Sequence, residues 1–371
     1  MIRKAYVGLF LAAISAAVVA SIVHHHHSKQ RAIREEATRF EAAIREATQI
    51  GNTVVSAREL SGNAYVLRVL SAKESKASSP AAIPDFPGAA STNVVLVHGY
   101  NTSFANAVAN GNELWEAIRL SLGSDISKTV RFFTFCWRGD FGALRFTKSN
   151  ESAKKTAPVF GSFLKQIASI SPLANQSKLI VVTHSLGALV ALESLRQMQD
   201  EPMMPLVDIL LMVQPAVQID DLGRANIRSS AIVFQSRGKG PVAFSEPREV
   251  DLPPYANNGV YFDTITKATR DTFATASGTD GVLGFAFSAW ATKVIGYQIT
   301  TYPTTRTALG SPLHGGWEFP PNLHPVDLSP RKHLGASIRT HGDLFDPKNQ
   351  ALVQFLMDTV RTSWDQRAGT K

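Results

Sequence analysis

Short apolar runs alternate along most of the chain with longer segments whose apolar positions recur at helical spacing. The uninterrupted runs Val94–Val97, Val130–Trp137, Leu179–Thr183 and Val207–Val213 predict strands that are buried on both faces. The intervening segments predict helices at about Ala105–Leu122, Lys154–Ile170, Leu186–Met198 and Asn349–Trp364. Strands alternating with helices predict an α/β fold, in which a mostly parallel central sheet is covered by helices on both faces.

Further segments complete the predicted domain, which extends from residue 51 to residue 371. Thr53–Ala57 and Ala64–Leu70 predict a hairpin at the edge of the sheet, and Ala231–Gln235 predicts one more strand. Residues 28–50 are charge-rich with apolar positions at helical spacing, so they predict a helical linker preceding the domain. The stretch 241–339 fits the alternation poorly and is rich in Pro, Gly and Thr, which predicts a cap-like insertion above the sheet.

The N-terminal residues 1–27 contain a candidate membrane segment. Ala5–Val23 carries no charged residue, and its length is close to the roughly 20 residues that a spanning helix needs. Arg3 and Lys4 precede it, which favours a cytoplasmic N-terminus and an extracytoplasmic domain. A signal peptide cleaved after Val18–Ala20, releasing a secreted domain, is the alternative.

Composition narrows the classes of function. Hydrophobic residues make up 44% of the 371 residues and charged residues 18%, which is typical of a globular protein. The net charge of +8 is spread along the chain without a basic run or a nucleic-acid motif, so we expect no nucleic-acid partner. Cys136 is the single cysteine, which excludes an intramolecular disulfide and a cysteine-based metal cluster, and its apolar surroundings in sequence predict a core residue.

The sequence Thr183-His-Ser-Leu-Gly187 carries the strongest chemical signal. It joins a buried strand directly to a helix, the context of the G-x-S-x-G nucleophile motif, with Thr183 at the first glycine position. Small residues two before and two after the serine let strand and helix approach each other closely. The sequence therefore predicts Ser185 as a catalytic nucleophile presented on a sharp turn.

The strand Val94–Val97 ends in His98-Gly99-Tyr100-Asn101, a candidate oxyanion loop. Backbone N–H groups would stabilise the negative oxygen of a tetrahedral intermediate there, and the predicted donors are the N–H groups of Tyr100 and Leu186. The His98 side chain is expected to pack and form hydrogen bonds below the site.

A general base is expected late in the chain, before the last helix. His341 occupies that place, ahead of Asn349–Trp364, and would take the proton from Ser185 and return it to the leaving group. His314, His324 and His333 are competitors that fall within the predicted cap.

With these motifs the chain resembles the α/β-hydrolase superfamily, and within it an uncharacterised bacterial group described as esterase- or lipase-like. The resemblance rests on Val97–Phe104, Phe135–Arg138, Thr183–Gly187 and His341–Phe345. It implies the α/β-hydrolase fold and hydrolysis of an ester or related acyl bond, without a metal or an organic cofactor.

The acid of a catalytic triad is where the chain departs from this family. Relatives usually carry an aspartate a few residues after the strand that corresponds to Ala231–Gln235, but here Ser236–Pro241 contains none, and Lys239 lies near the expected position. Gln214 follows the preceding strand. Asp220 is the candidate we select. The other acids considered are Asp221, Glu246, Asp251 and Asp263, with Asp343 too close in sequence to His341.

Three hypotheses about function follow. The first is a membrane-anchored serine hydrolase that cleaves carboxylic esters of small molecules or lipids. The second is a binding protein of the same fold that has lost turnover together with the acid. The third is a serine hydrolase acting on thioesters or peptides. The sequence does not identify the substrate or the oligomeric state.

Overall fold

The structure is a computed structural model. It describes residues 28, 31–32, 34–61, 64–70, 92–122, 130–142, 145–170, 178–201, 205–217, 219–225, 230–237, 244–251, 259–276, 317–328, 353 and 358. The predicted membrane segment Ala5–Val23 and the candidate base His341 lie outside the described residues. None of the described helices is both long and apolar enough to span a membrane.

Helices and strands alternate along the described chain. The strands are β1 (Asn52–Ser61), β2 (Ala64–Leu70), β3 (Thr92–Val97), β4 (Val130–Trp137), β5 (Lys178–His184), β6 (Val207–Val213), β7 (Arg224–Ala225), β8 (Ser230–Arg237), β9 (Phe244–Asp251), β10 (Thr269–Ala276), β11 (Trp317–Glu318) and β12 (Leu323–Asp327). The helices are α1 (34–50), α2 (Phe104–Leu122), α3 (Phe146–Ile170), α4 (Gly187–Met198), α5 (Ile219–Leu222) and α6 (Phe262–Ala268). Val353 and Asp358, within the predicted last helix, are helical.

One eight-stranded sheet forms the centre of the domain, in the order β12-β10-β6-β5-β3-β4-β1-β2. All neighbouring strands are parallel except β1 and β2, which form the predicted antiparallel hairpin at one edge. Because the strands are parallel, their carboxyl ends meet at one edge of the sheet. Ligands of open α/β sheets bind at that edge.

Helices cover both faces of this sheet, as the apolar runs predicted. Val95, Val97 and Val181 pack against α3 and α4 on one face. Their sequence neighbours Val94 and Leu96 pack against α2 on the other face, together with Val353. Two-sided burial explains why these strands are apolar at every position. Cys136 lies in the core as predicted, and burial raises the pKa of its thiol to about 12.

The helix α1 is part of the domain and not a free linker. Ala43, Ile44 and Ala47 are buried against β1 and α2. The Phe40 ring stacks on Phe104 with centroids 4.6 Å apart. The prediction of a linker is therefore wrong for these residues, because the apolar side of the helix completes the core.

Two other predictions are corrected by the sheet. Ala231–Gln235 lies in β8, which pairs only with β9 in a separate two-stranded ribbon and not with the central sheet. Conversely, β10 pairs with β6, and β12 pairs with β10. The cap predicted at 241–339 is therefore wrong for β10 and β12, which belong to the main sheet.

Candidate active site

Ser185 occupies the turn between β5 and α4, as the motif predicts. Its backbone has φ 51°, in the left-handed region that a non-glycine residue adopts at a cost of roughly 1–3 kcal/mol. Three hydrogen bonds hold the turn: Ser185 N–H donates to Val213 O (3.0 Å), while Ala216 N–H and Ala188 N–H each donate to Ser185 O (3.1 Å). The strained serine is thus fixed by the end of β6 as well as by its own helix.

Gly187 and Gly99 permit the close approaches around this turn. A Cβ on Gly187 would lie 2.5 Å from Val97 O and 2.6 Å from His98 O, so α4 begins almost in contact with the end of β3. A Cβ on Gly99 would lie 2.9 Å from Ser185 Cβ. The loop after β3 therefore lies directly beside the serine.

Thr183 fits at the first glycine position of the motif but leaves its hydroxyl without a partner. The side chain is fully buried, and within the described part of the chain its Oγ1 has no hydrogen-bond partner. Burying an unbonded hydroxyl costs free energy, so this position is a local departure from good polar pairing.

The two predicted oxyanion donors flank Ser185. Leu186 directly precedes the first residue of α4, and no side chain caps that helix. Among the described residues, none accepts a hydrogen bond from the backbone N–H of Leu186 or of Tyr100. Free N–H groups at a helix N-terminus carry partial positive charge, so an oxyanion formed beside Ser185 would find donors there.

His98 holds the loop in place from below. His98 Nε2 lies 3.1 Å from both the N–H and the carbonyl oxygen of Trp137; with the ring proton on Nδ1, Nε2 accepts from Trp137 N–H and Nδ1 donates to Gly99 O (2.9 Å). The indole Nε1–H of Trp137 donates to His98 O (2.7 Å), and the two rings stack with centroids 5.6 Å apart. Burial lowers the pKa of His98 to about 4, which keeps the ring neutral.

This arrangement orients the Tyr100 amide. The Gly99 carbonyl and the Tyr100 N–H belong to one planar peptide and point in opposite directions. Because His98 Nδ1–H holds the carbonyl, the N–H is directed away from the His98 ring. The expectation that His98 packs and forms hydrogen bonds below the site is confirmed.

Sequence reasoning missed a second loop that supports the first. Asn101, with φ 54°, donates its N–H to Gly139 O (3.0 Å), which also accepts from Ser149 Oγ (3.0 Å).

Arg58 on β1 holds the second loop from the other side. Its Nη2 donates to Asp140 Oδ2 (2.5 Å), and its Nη1 donates to Trp137 O (3.1 Å). The residues that follow β4 therefore lock the residues that follow β3. The only signal in the sequence was the Phe135–Arg138 motif.

The Tyr100 side chain forms part of this contact. Its hydroxyl donates to Gly142 O (2.8 Å), and its ring packs edge-on against Phe146 with centroids 5.1 Å apart. The loop after β3 is thereby tied to the start of α3 as well as to β4.

Of the competing histidines, the structure describes His324. It lies on β12 beside Asp271, with His324 Nε2 3.4 Å from Asp271 Oδ1. The register aligns it through Phe273 and Leu211 with Val182, three residues before Ser185, so it lies about 10 Å back along the strands. His324 is therefore not placed to act as the base. His314 and His333, like His341, lie outside the described residues.

The candidate acids are distributed unevenly around the site. Asp220 lies in α5, but its side chain is outside what the structure describes. Burial raises the pKa of its neighbour Asp221, the charge of Lys154 on α3 opposes that rise, and the charge of Glu193 on α4 adds to it. Gln214 is fully buried with φ 46° and donates its N–H to Thr275 Oγ1 (3.0 Å).

The remaining candidate acids lie on other elements. Glu246 and Asp251 are on the separate β8–β9 ribbon, and Asp263 is in the first turn of α6.

Comparisons with known proteins agree with the fold. Residues 87–239 match the family described as "Alpha/beta hydrolase of unknown function (DUF900)". No curated protein matches the chain in sequence. The matched region contains β3, β5, Ser185 and both proposed oxyanion donors.

Several solved structures are distantly similar. The phospholipase PlaB of Legionella pneumophila has 15% identity and a TM-score of 0.24, over 34% of this chain and 25% of that chain. The esterase domain of a Rhodothermus marinus protein has 14% identity and a TM-score of 0.31, over 75% and 87%. The carboxylesterase CesB of Bacillus subtilis has 13% identity and a TM-score of 0.36, over 87% and 98%. Scores this low carry no information about substrate or reaction. The family match over residues 87–239, the parallel sheet and the strand–turn–helix at Ser185 together show that the chain has the α/β-hydrolase fold.

Proposed function

We propose that the protein is a serine hydrolase that cleaves carboxylic esters through an acyl-enzyme on Ser185. The observation that carries this proposal is the strained Ser185 turn, beside two backbone N–H groups from which no described residue accepts a hydrogen bond. Strain of this kind persists only where the surrounding structure enforces it, and it concentrates at functional sites. Hydrolysis explains why a serine is held there at a cost in stability.

The proposed reaction follows from the positions of these groups. The general base takes the proton of the Ser185 hydroxyl as its oxygen attacks the ester carbonyl. The Tyr100 and Leu186 N–H groups stabilise the oxyanion, and the protonated base then delivers its proton to the departing alcohol. A water molecule, activated by the same base, releases the acid and regenerates Ser185. We propose His341 as this base, from its position after β12 and before the helix that contains Val353.

The sheet order changes where the acid is sought. The strand beside β6 is β10, and the sequence after β10 reads Ser277-Gly-Thr-Asp280. Because residues that follow adjacent parallel strands meet at the same sheet edge, we propose Asp280 as the acid that orients His341. Asp220 remains the alternative. Asp280 and His341 lie outside the described residues, so their order in the chain and the strand topology carry this assignment.

Labelling and turnover test the nucleophile. Wild-type protein should react covalently with a fluorophosphonate probe and hydrolyse p-nitrophenyl esters, whereas Ser185→Ala should do neither. Ser162→Ala is the matched control, because Ser162 is an exposed residue of α3 that donates to Pro158 O. Labelling without turnover of oxygen esters would direct the search to thioesters and peptides. Folded protein that neither labels nor turns over any ester would overturn the proposal in favour of a binding protein.

Two matched substitutions test the acid. Loss of the acid leaves the histidine without tautomer control, which in a known triad lowers kcat by about 10⁴. Asp280→Asn should therefore lower kcat strongly, and Asp220→Asn should have little effect. The reverse result would assign Asp220. His341→Ala should reduce turnover at least as much as the acid variant does.

The cellular location is a further part of the proposal. We propose that Ala5–Val23 anchors the chain in a membrane with the hydrolase domain on the extracytoplasmic side. Its support is the absence of charge in that segment, with Arg3 and Lys4 ahead of it. A membrane location would place the site near lipid esters.

A further inference from the structure

Three cations beside the candidate site have no acidic partner among the residues that the structure describes. Arg138 follows β4, and Arg145 and Lys148 lie at the start of α3; we call these three residues the basic rim. All three are exposed, and within the described part of the chain none forms an ion pair. Asp140, the carboxylate nearest to Arg138 in sequence, is paired with Arg58, and among the described residues Glu151 forms no ion pair with Lys148. The positive charge of the rim is therefore available to a ligand.

The rim lies close to Ser185. It belongs to the same segments that tie down the oxyanion loop, through the Asn101 N–H to Gly139 O hydrogen bond and the Tyr100–Phe146 contact. In the sheet, β4 is separated from β5 by β3 alone. Two strand spacings amount to about 10 Å, which sets the approximate distance from the serine to the backbone of Arg138.

Folding does not explain these charges. The first turn of α3 contains no acidic residue, although acidic residues are the ones that stabilise a helix N-terminus. Arg145 and Lys148 instead add positive charge to the positive end of the helix dipole. Such a concentration favours an anion at this end of α3.

Arg138 is also partly oriented. Its guanidinium carbon lies 5.0 Å from the centroid of the Phe141 ring, a cation–π contact that restrains the side chain without neutralising it. A guanidinium presents paired N–H donors that match a carboxylate or a phosphate. The contact leaves donors of Arg138 free for such a group.

We propose that the basic rim binds an anionic group of the substrate, a carboxylate or a phosphate located about 10 Å from the scissile carbonyl. The substrate class is then an anionic ester, and Arg138 is its principal specificity-determining residue. This inference rests on the proposed ester hydrolysis at Ser185.

Pairs of matched esters test the inference with the full-length chain. A carboxylate arm compares p-nitrophenyl hydrogen suberate with p-nitrophenyl octanoate, and a phosphate arm compares dioctanoyl phosphatidic acid with dioctanoylglycerol. We expect kcat/KM to favour the anionic member by about tenfold at low salt, since each exposed charge pair contributes a factor of a few. Raising NaCl from about 0.05 to 0.5 M should reduce the preference, because screening shortens the reach of the charges. The arm that shows the larger preference identifies the anion.

Variants separate the rim from the reaction itself. Arg138→Gln should bring the ratio of anionic to neutral kcat/KM close to one, and Arg138→Lys should retain part of it. Arg119→Gln is the matched control, since Arg119 is an exposed arginine on α2 paired with Glu116, and it should keep the full ratio. If the wild type hydrolyses esters with a ratio of anionic to neutral kcat/KM near one, the proposed role of the basic rim is wrong while ester hydrolysis at Ser185 stands. Absence of all ester hydrolysis would overturn the proposed function and the rim with it.

Discussion

Gly187 begins α4 where that helix comes closest to β3. A Cβ there would meet the carbonyl oxygens of Val97 and His98 at 2.5 and 2.6 Å, and backbone atoms in a central sheet have no room to move away. Gly187→Ala should therefore push the helix start outward, lowering the free energy of unfolding by about 2 kcal/mol. Because the Leu186 N–H would shift with it, we also expect a large fall in kcat.

Gly161→Ala supplies the comparison for that substitution. Gly161 is likewise a buried helical residue. A Cβ there would lie 3.0 Å from the Sδ of Met198, which belongs to a flexible side chain that can shift. Chemical denaturation and ester turnover should show Gly161→Ala close to wild type. Equal losses in the two variants would mean that the close contact of Gly187 is not the cause.

The buried His98 ring makes the free energy of unfolding depend on pH. Burial lowers the pKa of the folded-state ring from 6.5 to about 4, so the unfolded chain binds a proton more readily than the folded protein between these values. The stabilisation is fully present above pH 6.5 and is lost as the pH falls toward 4, amounting to roughly 3 kcal/mol. Denaturation of wild type and His98→Gln across this range should therefore give curves that converge toward low pH. Parallel curves would contradict the assignment.

Some residues of the candidate site can be predicted from the neighbouring sequence alone, and others depend on how distant strands pair. The positions of Ser185 and Leu186 were predictable, because a strand, a turn and a helix follow one another immediately there, and Tyr100 follows directly from the end of β3. The acid proposed for His341 was not predictable, because that proposal depends on which later strand pairs with β6. Only the register of β10 against β6 supplies that information.

At the scale of elements, α1 is the segment whose packing on the domain could not be predicted from the sequence. Its apolar side chains are few, but Asn112 on α2 also donates to Ala43 O (3.1 Å), and Trp115 Nε1–H donates to Ile50 O (2.7 Å). These bonds satisfy polar groups at the contact between the two helices. The helix is thus held by both apolar packing and hydrogen bonds.

A substitution within α1 measures this docking. Ile44 is 6% exposed, so Ile44→Ala should leave a cavity and lower the free energy of unfolding by about 2–4 kcal/mol. Arg45→Ala changes the next residue, which is exposed, and should have almost no effect. The denaturant midpoints of the two variants should therefore differ. If α1 were a free linker, neither substitution would change the midpoint.

The strands that the sequence missed share a physical cause. β10 carries Thr269, Thr272 and Thr275 within the sheet, and polar residues argued against a buried strand. Their hydroxyl groups are satisfied locally: Thr269 Oγ1 donates to Ile265 O (2.9 Å), Thr269 and Thr272 share a hydrogen bond of 2.8 Å, and Thr275 accepts from Gln214. The apolar run in β8 misled in the opposite direction, because an isolated ribbon and a sheet strand have the same local pattern.

At the scale of the whole molecule, the position of α1 separates the proposed anchor from the folded domain. Ser28 is the first residue that the structure describes and is helical, and α1 is packed on the domain. A spanning helix at Ala5–Val23 would therefore be joined to the domain through a docked helix. This arrangement would hold the catalytic domain close to the membrane.

Two truncations test this arrangement in one experiment. A chain that starts at Ser28 should melt within about 2 °C of the full-length chain, because none of the described core is removed. It should also move from the membrane pellet to the supernatant after high-salt washing. A chain that starts at Asn52 loses the buried residues of α1 and should melt about 10 °C lower. If expression of the full-length sequence gives a protein in the supernatant whose mass lacks the first residues, a cleaved signal is present in place of the anchor.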